Sequence, residues 1–375
     1  MAMKGGIGFG VVGCGMIADF HASAVQAMKG GHLVAALDTL SPKSAERVGK
    51  KFGCAYYTDP KAFFAHPGLE IVAIATPSGA HLEPTLAAAR AGKHVICEKP
   101  LEITLERCDR MIRECKKAGV TLAGIFPART GGEVRELKKA IDSGRFGRLT
   151  VCDAYIKWWR TQEYYDSGGW RGTWELDGGG ALMNQGIHTI DLLQHLAGDV
   201  ESVFAIADCL AHKRIEVEDV CVAALRFRNG AVGVIEGATA AFPGHSKEVH
   251  ISGEDGSAFL KDSTFTVWEL KKMTAADKRI WKTYGPQPAK GRAYGAADPK
   301  HISFQGHQIQ FEDMVKAVRN GTDPMVTGPE ARKAVEVILA VYRSAQTGRP
   351  VRLPLKRTPK LTAIQKSARK VRRAK

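Results

Sequence analysis

The sequence holds eight cysteines but no C-x-x-C pair: Cys14, Cys54, Cys97, Cys108, Cys115, Cys152, Cys209 and Cys221 are scattered. This spacing suggests neither a zinc site nor a disulfide framework, so buried thiols in a reducing compartment are expected, and no metal. No apolar run approaches the roughly 18 residues that a membrane span requires. The opening Met1-Ala2-Met3-Lys4-Gly5-Gly6 passes directly into an apolar strand, without the h-region and cleavage site of a secretory signal. A cytoplasmic protein with no membrane partner is therefore expected. The body of the chain also lacks a charge excess. Of the net +15, nine positive charges and no acid fall in residues 356–375. Nucleic acid is not expected to bind the folded body, and only the basic tail could attract it.

What is present is an ordinary globular mixture. The 375 residues are 44% hydrophobic and 25% charged, which suits two domains with sizeable cores. Up to residue 126, apolar β-branched runs (7–12, 32–37, 71–75, 94–97, 121–125) alternate with helical periodicity. That alternation predicts a parallel, doubly wound α/β sheet. Longer alternating segments follow at 149–155, 200–207, 219–227, 231–239 and 248–253. They predict an α+β domain on an open, mostly antiparallel sheet. Asn229-Gly230 marks a hairpin turn. The division read from the sequence is a Rossmann domain over 1–126, a substrate-binding and oligomerisation domain over 127–355, and a basic tail over 356–375. Within the tail, Leu361, Ile364, Ala368 and Val371 recur at helical steps.

Gly13-Cys14-Gly15-Met16-Ile17-Ala18 fits G-x-G-x-x-G/A between a strand and a helix, and Asp38 closes the second strand 20 residues on. Gly13 permits a tight turn, Gly15 lets a pyrophosphate approach the backbone, and Ala18 keeps the helix close to the sheet. The helix start, with Met16 and Ile17, offers free N–H groups to phosphate. Asp38 can accept hydrogen bonds from ribose hydroxyls and would repel a 2′-phosphate. NAD is thus expected over NADP, which the nearby Lys43 leaves open.

Two further segments place polar groups in apolar settings. Glu98-Lys99-Pro100 follows a strand of the parallel sheet, at the edge where ligands sit in such folds. Asp177-Gly178-Gly179-Gly180 leads into a helical stretch on which Asn184 and His188 stand four residues apart, with Asp191 extending their stripe. Together with GCGMIADFHA, ATPSGAH and the closing YRSAQTGRPVRLP, these segments resemble the Gfo/Idh/MocA family of sugar and cyclitol oxidoreductases, from about Gly8 to Pro354. The resemblance implies direct hydride transfer, with Lys99 and His188 beside the reacting carbinol and Asn184 next to them. It also implies cofactor contacts from Thr76, Pro77, His81, Glu98, Lys99 and Arg129. Imidazole can take the hydroxyl proton near neutral pH, and an ammonium can stabilise the developing oxyanion. Many members carry aspartate where Asn184 stands. Members acting at carbon 3 of UDP-N-acetylglucosaminuronate have a similar MNQ-x-IH stretch.

Residues 157–165 and 170–174 hold four of the six tryptophans. Aromatic faces suit the C–H faces of sugars, and Arg160, Tyr164, Trp170 and Arg171 could bind hydroxyl, carboxylate or phosphate groups. The resemblance adds His307 near the substrate, together with Asn184 and His188. The expected activity is NAD-dependent oxidation of a secondary alcohol, at carbon 3, on a pyranose sugar or sugar derivative, with free and nucleotide-linked sugars both open. Two alternatives stand beside it: a glycosidase that oxidises only transiently, and a non-catalytic NAD-binding sensor. A homodimer or homotetramer is expected by analogy.

Overall fold

In the computed structural model, residues 6–287 and 303–362 are described. Contacts divide the chain into two units. The first runs to Pro127 and includes Ser303–Lys333; the second starts at Ala128 and resumes at Ala334. A linear division at residue 126 contains no such return of the chain to its first unit.

The first unit opens with β1 (Ile7–Val12), α1 (Met16–Ala27), β2 (Gly31–Leu37), α2 (Pro42–Phe52) and β3 (Ala55–Tyr57). It continues through α3 (Pro60–Phe64), β4 (Leu69–Ile74), α4 (Leu82–Arg90), β5 (His94–Cys97), α5 (Leu105–Lys117) and β6 (Leu122–Gly124). All six strands are parallel, in the order β3-β2-β1-β4-β5-β6. Every residue of β1 is buried, as a strand covered on both faces must be. Local chemistry sets the helix ends. Ser41 caps α2 by accepting from Ser44 N, Pro42 occupies its first turn, and Gly53 ends it at φ 69°. The chain reverses direction across the sheet between β1 and β4, which makes a crevice at the carboxyl ends of these two strands.

The second unit holds α6 (Gly132–Asp142), β7 (Leu149–Lys157), α7 (Gln162–Asp166), α8 (Ile187–Ala197), β8 (Val200–Asp208), β9 (Val220–Phe227) and β10 (Val232–Ala238). After these come β11 (Lys247–Gly253), β12 (Gly256–Lys261), β13 (Thr264–Leu270) and α9 (Ala275–Tyr284). The helix α10 (Gln305–Asn320) belongs to the first unit, α11 (Gly328–Thr347) begins there, and β14 (Val351–Arg352) closes the second. The eight strands run β13-β12-β11-β7-β10-β9-β8-β14, with β7–β10 the single parallel pair among them. Asn229-Gly230 does turn the β9–β10 hairpin, with Gly230 at φ 91°. The hairpin β12–β13 and the helix α9 were not read from the sequence; the 256–270 stretch carries a register shift that breaks its alternation.

Burial alternates strictly along β9, as expected of a sheet covered on one face. The covered face packs on α8 through β7 and β11. The other face exposes Val151, Phe204, Ile206, Val222 and Val232. The helical pattern read in the tail falls mostly on 363–375, outside the described residues, and 356–362 are not helical.

Candidate active site

The dinucleotide fingerprint has the backbone its residue types imply. Gly13 sits at φ 89°, and a Cβ built on it would lie 2.8 Å from the main-chain atoms of Ala75 and Thr76. Gly15 starts α1 without a side-chain cap, and a Cβ there meets no atom within 4 Å. Ala18 is fully buried, so any larger side chain would lift the helix from the sheet. Asp38 is held by three backbone donors: Cys14 N at 3.0 Å to Oδ2, and Leu40 N (3.0 Å) and Ser41 N (2.8 Å) to Oδ1. The acid thus locks the glycine turn to the end of β2, while Met16 lies exposed and Ile17 half-buried beside it. These residues fit a dinucleotide: a crowded turn, an open glycine, an uncapped helix start and an oriented carboxylate.

The loop after β4 is tied to the loop after β5 through His81. Its Nε2 meets Thr76 O at 3.0 Å and its Nδ1 meets Pro100 O at 2.9 Å. With both ring nitrogens on main-chain carbonyls and 1% exposure, His81 orders this edge through the backbone. Thr76 Oγ1 donates to Ala80 O, and Pro77 precedes the short turn 78–80. Lys99 is half-buried at the exit of β5. Its neighbour Glu98 points inward to His21 and to His307. His307, expected at the substrate, is instead 6% exposed in the first unit, with Nε2 on this carboxylate.

In the second unit the glycine-rich segment is not a plain α-helix. Ala181–Gly186 forms a π-helical turn before α8 begins. The expected i, i+4 stripe of Asn184 and His188 therefore spans two helix types. Such a wide turn frequently marks a functional site. Its start is fixed by the buried Glu218, which accepts from Gly180 N (3.0 Å), Leu182 N (2.8 Å) and the Tyr342 hydroxyl (2.8 Å). Burial pushes the Glu218 carboxyl up to about 7, against these donors. A Cβ on Gly180 would lie 1.8 Å from Glu218 O, which explains the glycine there.

Asn184 Nδ2 donates to Asp177 Oδ1 at 2.5 Å, and Asp177 Oδ2 accepts from Gly172 N. From Asn184 the network continues: Gln185 Nε2 donates to Asn184 Oδ1 and to the Tyr164 hydroxyl, and Arg160 Nη2 donates to Gln185 Oε1 at 2.9 Å. The Arg160 guanidinium also lies 5.2 Å from the Trp158 ring centroid and 5.5 Å from that of Tyr164. Arg171 stacks over Tyr164 at 4.8 Å and Trp170 at 5.0 Å. Arg160, Tyr164, Trp170, Arg171 and Asn184 thus form one connected patch. Asp177 and Gln185, which link it, were not singled out from the sequence. Asp177 carries a signal there all the same, as the acid opening the glycine run.

Two of the residues singled out from the sequence meet each other. Arg129, expected at the cofactor, makes a bidentate ion pair with Asp191, Nε to Oδ2 at 2.8 Å and Nη2 to Oδ1 at 2.6 Å, with both residues buried. Asp191, three residues after His188 on α8, is thus joined to Arg129. His188 remains half-buried on α8, with its Nδ1 turned inward.

Comparison with known proteins accords with this geometry. Residues 7–126 match the oxidoreductase family described as a NAD-binding Rossmann fold, and residues 134–259 match the GFO/IDH/MocA C-terminal domain. The crystal structure of the WlbA dehydrogenase from Bordetella pertussis, in complex with NADH and UDP-GlcNAcA, is 33% identical with a TM-score of 0.82. The match covers 94% of this chain and all of that one. Myo-inositol 2-dehydrogenase of Thermotoga maritima is 27% identical over 92% of this chain and 98% of its own length. A 2,7-anhydro-N-acetylneuraminate hydratase of Mediterraneibacter gnavus is 26% identical over 92% and 96%. The chain belongs to the GFO/IDH/MocA family of oxidoreductases, with an N-terminal NAD-binding Rossmann fold and a mixed, mostly antiparallel C-terminal sheet.

Proposed function

We propose that this protein is an NAD-dependent dehydrogenase that oxidises carbon 3 of a nucleotide-linked pyranose bearing a carboxylate. The observation that carries the reading is the full-length likeness to the WlbA dehydrogenase complex with NADH and UDP-GlcNAcA. The connected Arg160–Gln185–Asn184 network supports it, with Arg171 stacked on Tyr164 and Trp170. Two guanidinium groups beside aromatic faces suit an anionic sugar better than a neutral one. Gly13, Gly15 and the start of α1 hold the pyrophosphate, and Asp38 selects NAD by accepting from ribose hydroxyls.

The bound nicotinamide supplies the hydride acceptor. Lys99 polarises the substrate oxygen and stabilises its negative charge. His188 takes the hydroxyl proton on its imidazole. Asn184, anchored on Asp177, orients the sugar. The exposed apolar face of the second sheet, where Ile206 pairs with Val222 and Val151 with Val232, joins copies of the chain in a homo-oligomer. Eight free cysteines suit the cytoplasm, and no described helix is long and apolar enough to cross a membrane.

A second reading, transient oxidation without net redox, is favoured by the likeness to the hydratase. Incubation with NAD and a panel of UDP-sugars, followed by nicotinamide absorbance and product mass, separates the two. Stoichiometric NADH and a 3-keto product are expected from a UDP-uronate. Turnover without net NADH would replace the proposal with the second reading. Lys99→Ala and His188→Ala should each slow turnover by about a hundredfold or more, the usual scale for acid–base groups.

A further inference from the structure

Those roles leave unused a buried cluster in the first unit. His21 on α1 and His307 on α10 both face Glu98 at the exit of β5. The two histidines are 0% and 6% exposed, and Glu98 is 6% exposed. A single oxygen, Oε1, meets His21 Nε2 at 2.9 Å and His307 Nε2 at 3.2 Å. The other oxygen, Oε2, accepts the backbone N–H of Lys99 at 3.1 Å. Phe311 stands edge-on to His21, with ring centroids 5.3 Å apart. Among the described residues, neither His21 Nδ1 nor His307 Nδ1 has a hydrogen-bond partner.

These facts locate the protons. One ligand-type atom from each residue lies within 4.8 Å of the others, a spacing that would also admit a metal ion. A metal on the two Nε2 atoms would move each ring proton to Nδ1, and ligating histidines almost always pass that proton to an acceptor. Among the described residues neither buried N–H group would meet an acceptor, which is costly. An imidazolium has the same fault. The neutral Nε2–H form leaves only a bare lone pair at each Nδ1 and aims two donors at the carboxylate. Burial opposes charge on Glu98, but the hydrogen bonds from His21 and His307 outweigh it and hold the carboxyl well below its usual range. Burial likewise keeps His21 below the ordinary imidazole range.

We propose that His21 and His307 are positioning residues: both neutral and protonated on Nε2, they hold Glu98 as a carboxylate that fixes the main chain of Lys99. The proposal rests on the role given to Lys99 above. The lysine side chain then starts from a clamped backbone, and its ammonium reaches the substrate oxygen from a defined point.

Histidine-selective 15N labelling of the full chain with NAD tests the proton assignment. Two neutral Nε2–H rings are expected, one disappearing in His21→Gln and the other in His307→Gln. The glutamine variants keep a neutral N–H donor near the Nε2 position and should retain most turnover. His21→Leu and His307→Leu should lose about tenfold or more in kcat, the scale on which a displaced catalytic group is felt, with the KM for NAD little changed. An Nδ1–H or imidazolium signal from either ring overturns the proposal. So does stoichiometric Zn²⁺ binding that is lost in His21→Gln, or normal kcat in a folded leucine variant. Lys99→Ala separates the two claims: if it turns over normally, the role given to Lys99 fails, while the ring signals still report the proton positions.

Discussion

Gly13 and Gly15 lie two residues apart in one turn, yet the structure assigns them different failures. Gly13→Ala would place a Cβ 2.8 Å from the carbonyl carbon and oxygen of Ala75 and from Thr76 N, on a residue at φ 89°. The left-handed backbone alone costs an alanine roughly 1–2 kcal/mol, and moving main chain at a strand end adds about 1–3 kcal/mol. A loss of around 3 kcal/mol in a unit of this size lowers Tm on the order of 10 °C. Gly15→Ala is different. Its φ is −72° and its Cβ meets nothing within 4 Å, so Tm should hold within a degree or two of wild type. That open space is where a pyrophosphate would approach the start of α1, so Gly15→Ala should weaken NAD binding about tenfold or more, in line with the few kcal/mol that an ill-fitting methyl costs. Differential scanning calorimetry without cofactor, paired with NAD titration by calorimetry, measures both quantities. The reasoning is refuted if Gly15→Ala melts as low as Gly13→Ala, or if it binds NAD like the wild type.

Other perturbations follow from particular contacts. Arg129→Met leaves Asp191 buried without its bidentate partner, so unfolding free energy should fall by about 3–5 kcal/mol, read by urea denaturation. Asn184→Asp sets a second carboxyl 2.5 Å from Asp177 Oδ1. Two such groups cannot both ionise. One should hold its proton well above the usual carboxylate range, visible as a new limb in the pH–rate profile and removed by adding Asp177→Asn. His212 donates through Nδ1 to Asp219 and through Nε2 to Arg160 O. Burial disfavours its charge, but the two acceptors prevail and raise its pKa. Its contribution to stability is therefore complete below the ordinary imidazole value and is lost as pH rises through the raised one. Asp219 behaves oppositely: hydrogen bonds outweigh burial and lower its pKa, so its contribution is lost only in acid. The Tm of the wild type should thus decline from pH 6 to 9 more than that of His212→Gln. Parallel declines would show that the pair carries no pH dependence.

The sequence alone determined the doubly wound first sheet, the glycine turn, the Asn229-Gly230 hairpin and the family. Each of these is local: strand periodicity, a positive-φ glycine or a contiguous motif is written within a few residues. Tertiary structure decided which partner each polar group takes. Arg129 looked like a cofactor contact beside the sixth strand, but Asp191, 62 residues away, captures its guanidinium. His307 looked like a substrate ligand, but the return of Ser303–Lys333 to the first unit sets it against Glu98, 209 residues earlier. The π turn at Ala181–Gly186 was hidden as well, because its start is gripped at Gly180 and Leu182 by Glu218, more than 30 residues on in the segment that leads into β9. Buried polar groups must find partners wherever the chain brings them, and those pairings are set by long-range topology, which the spacing of residues along the chain does not record.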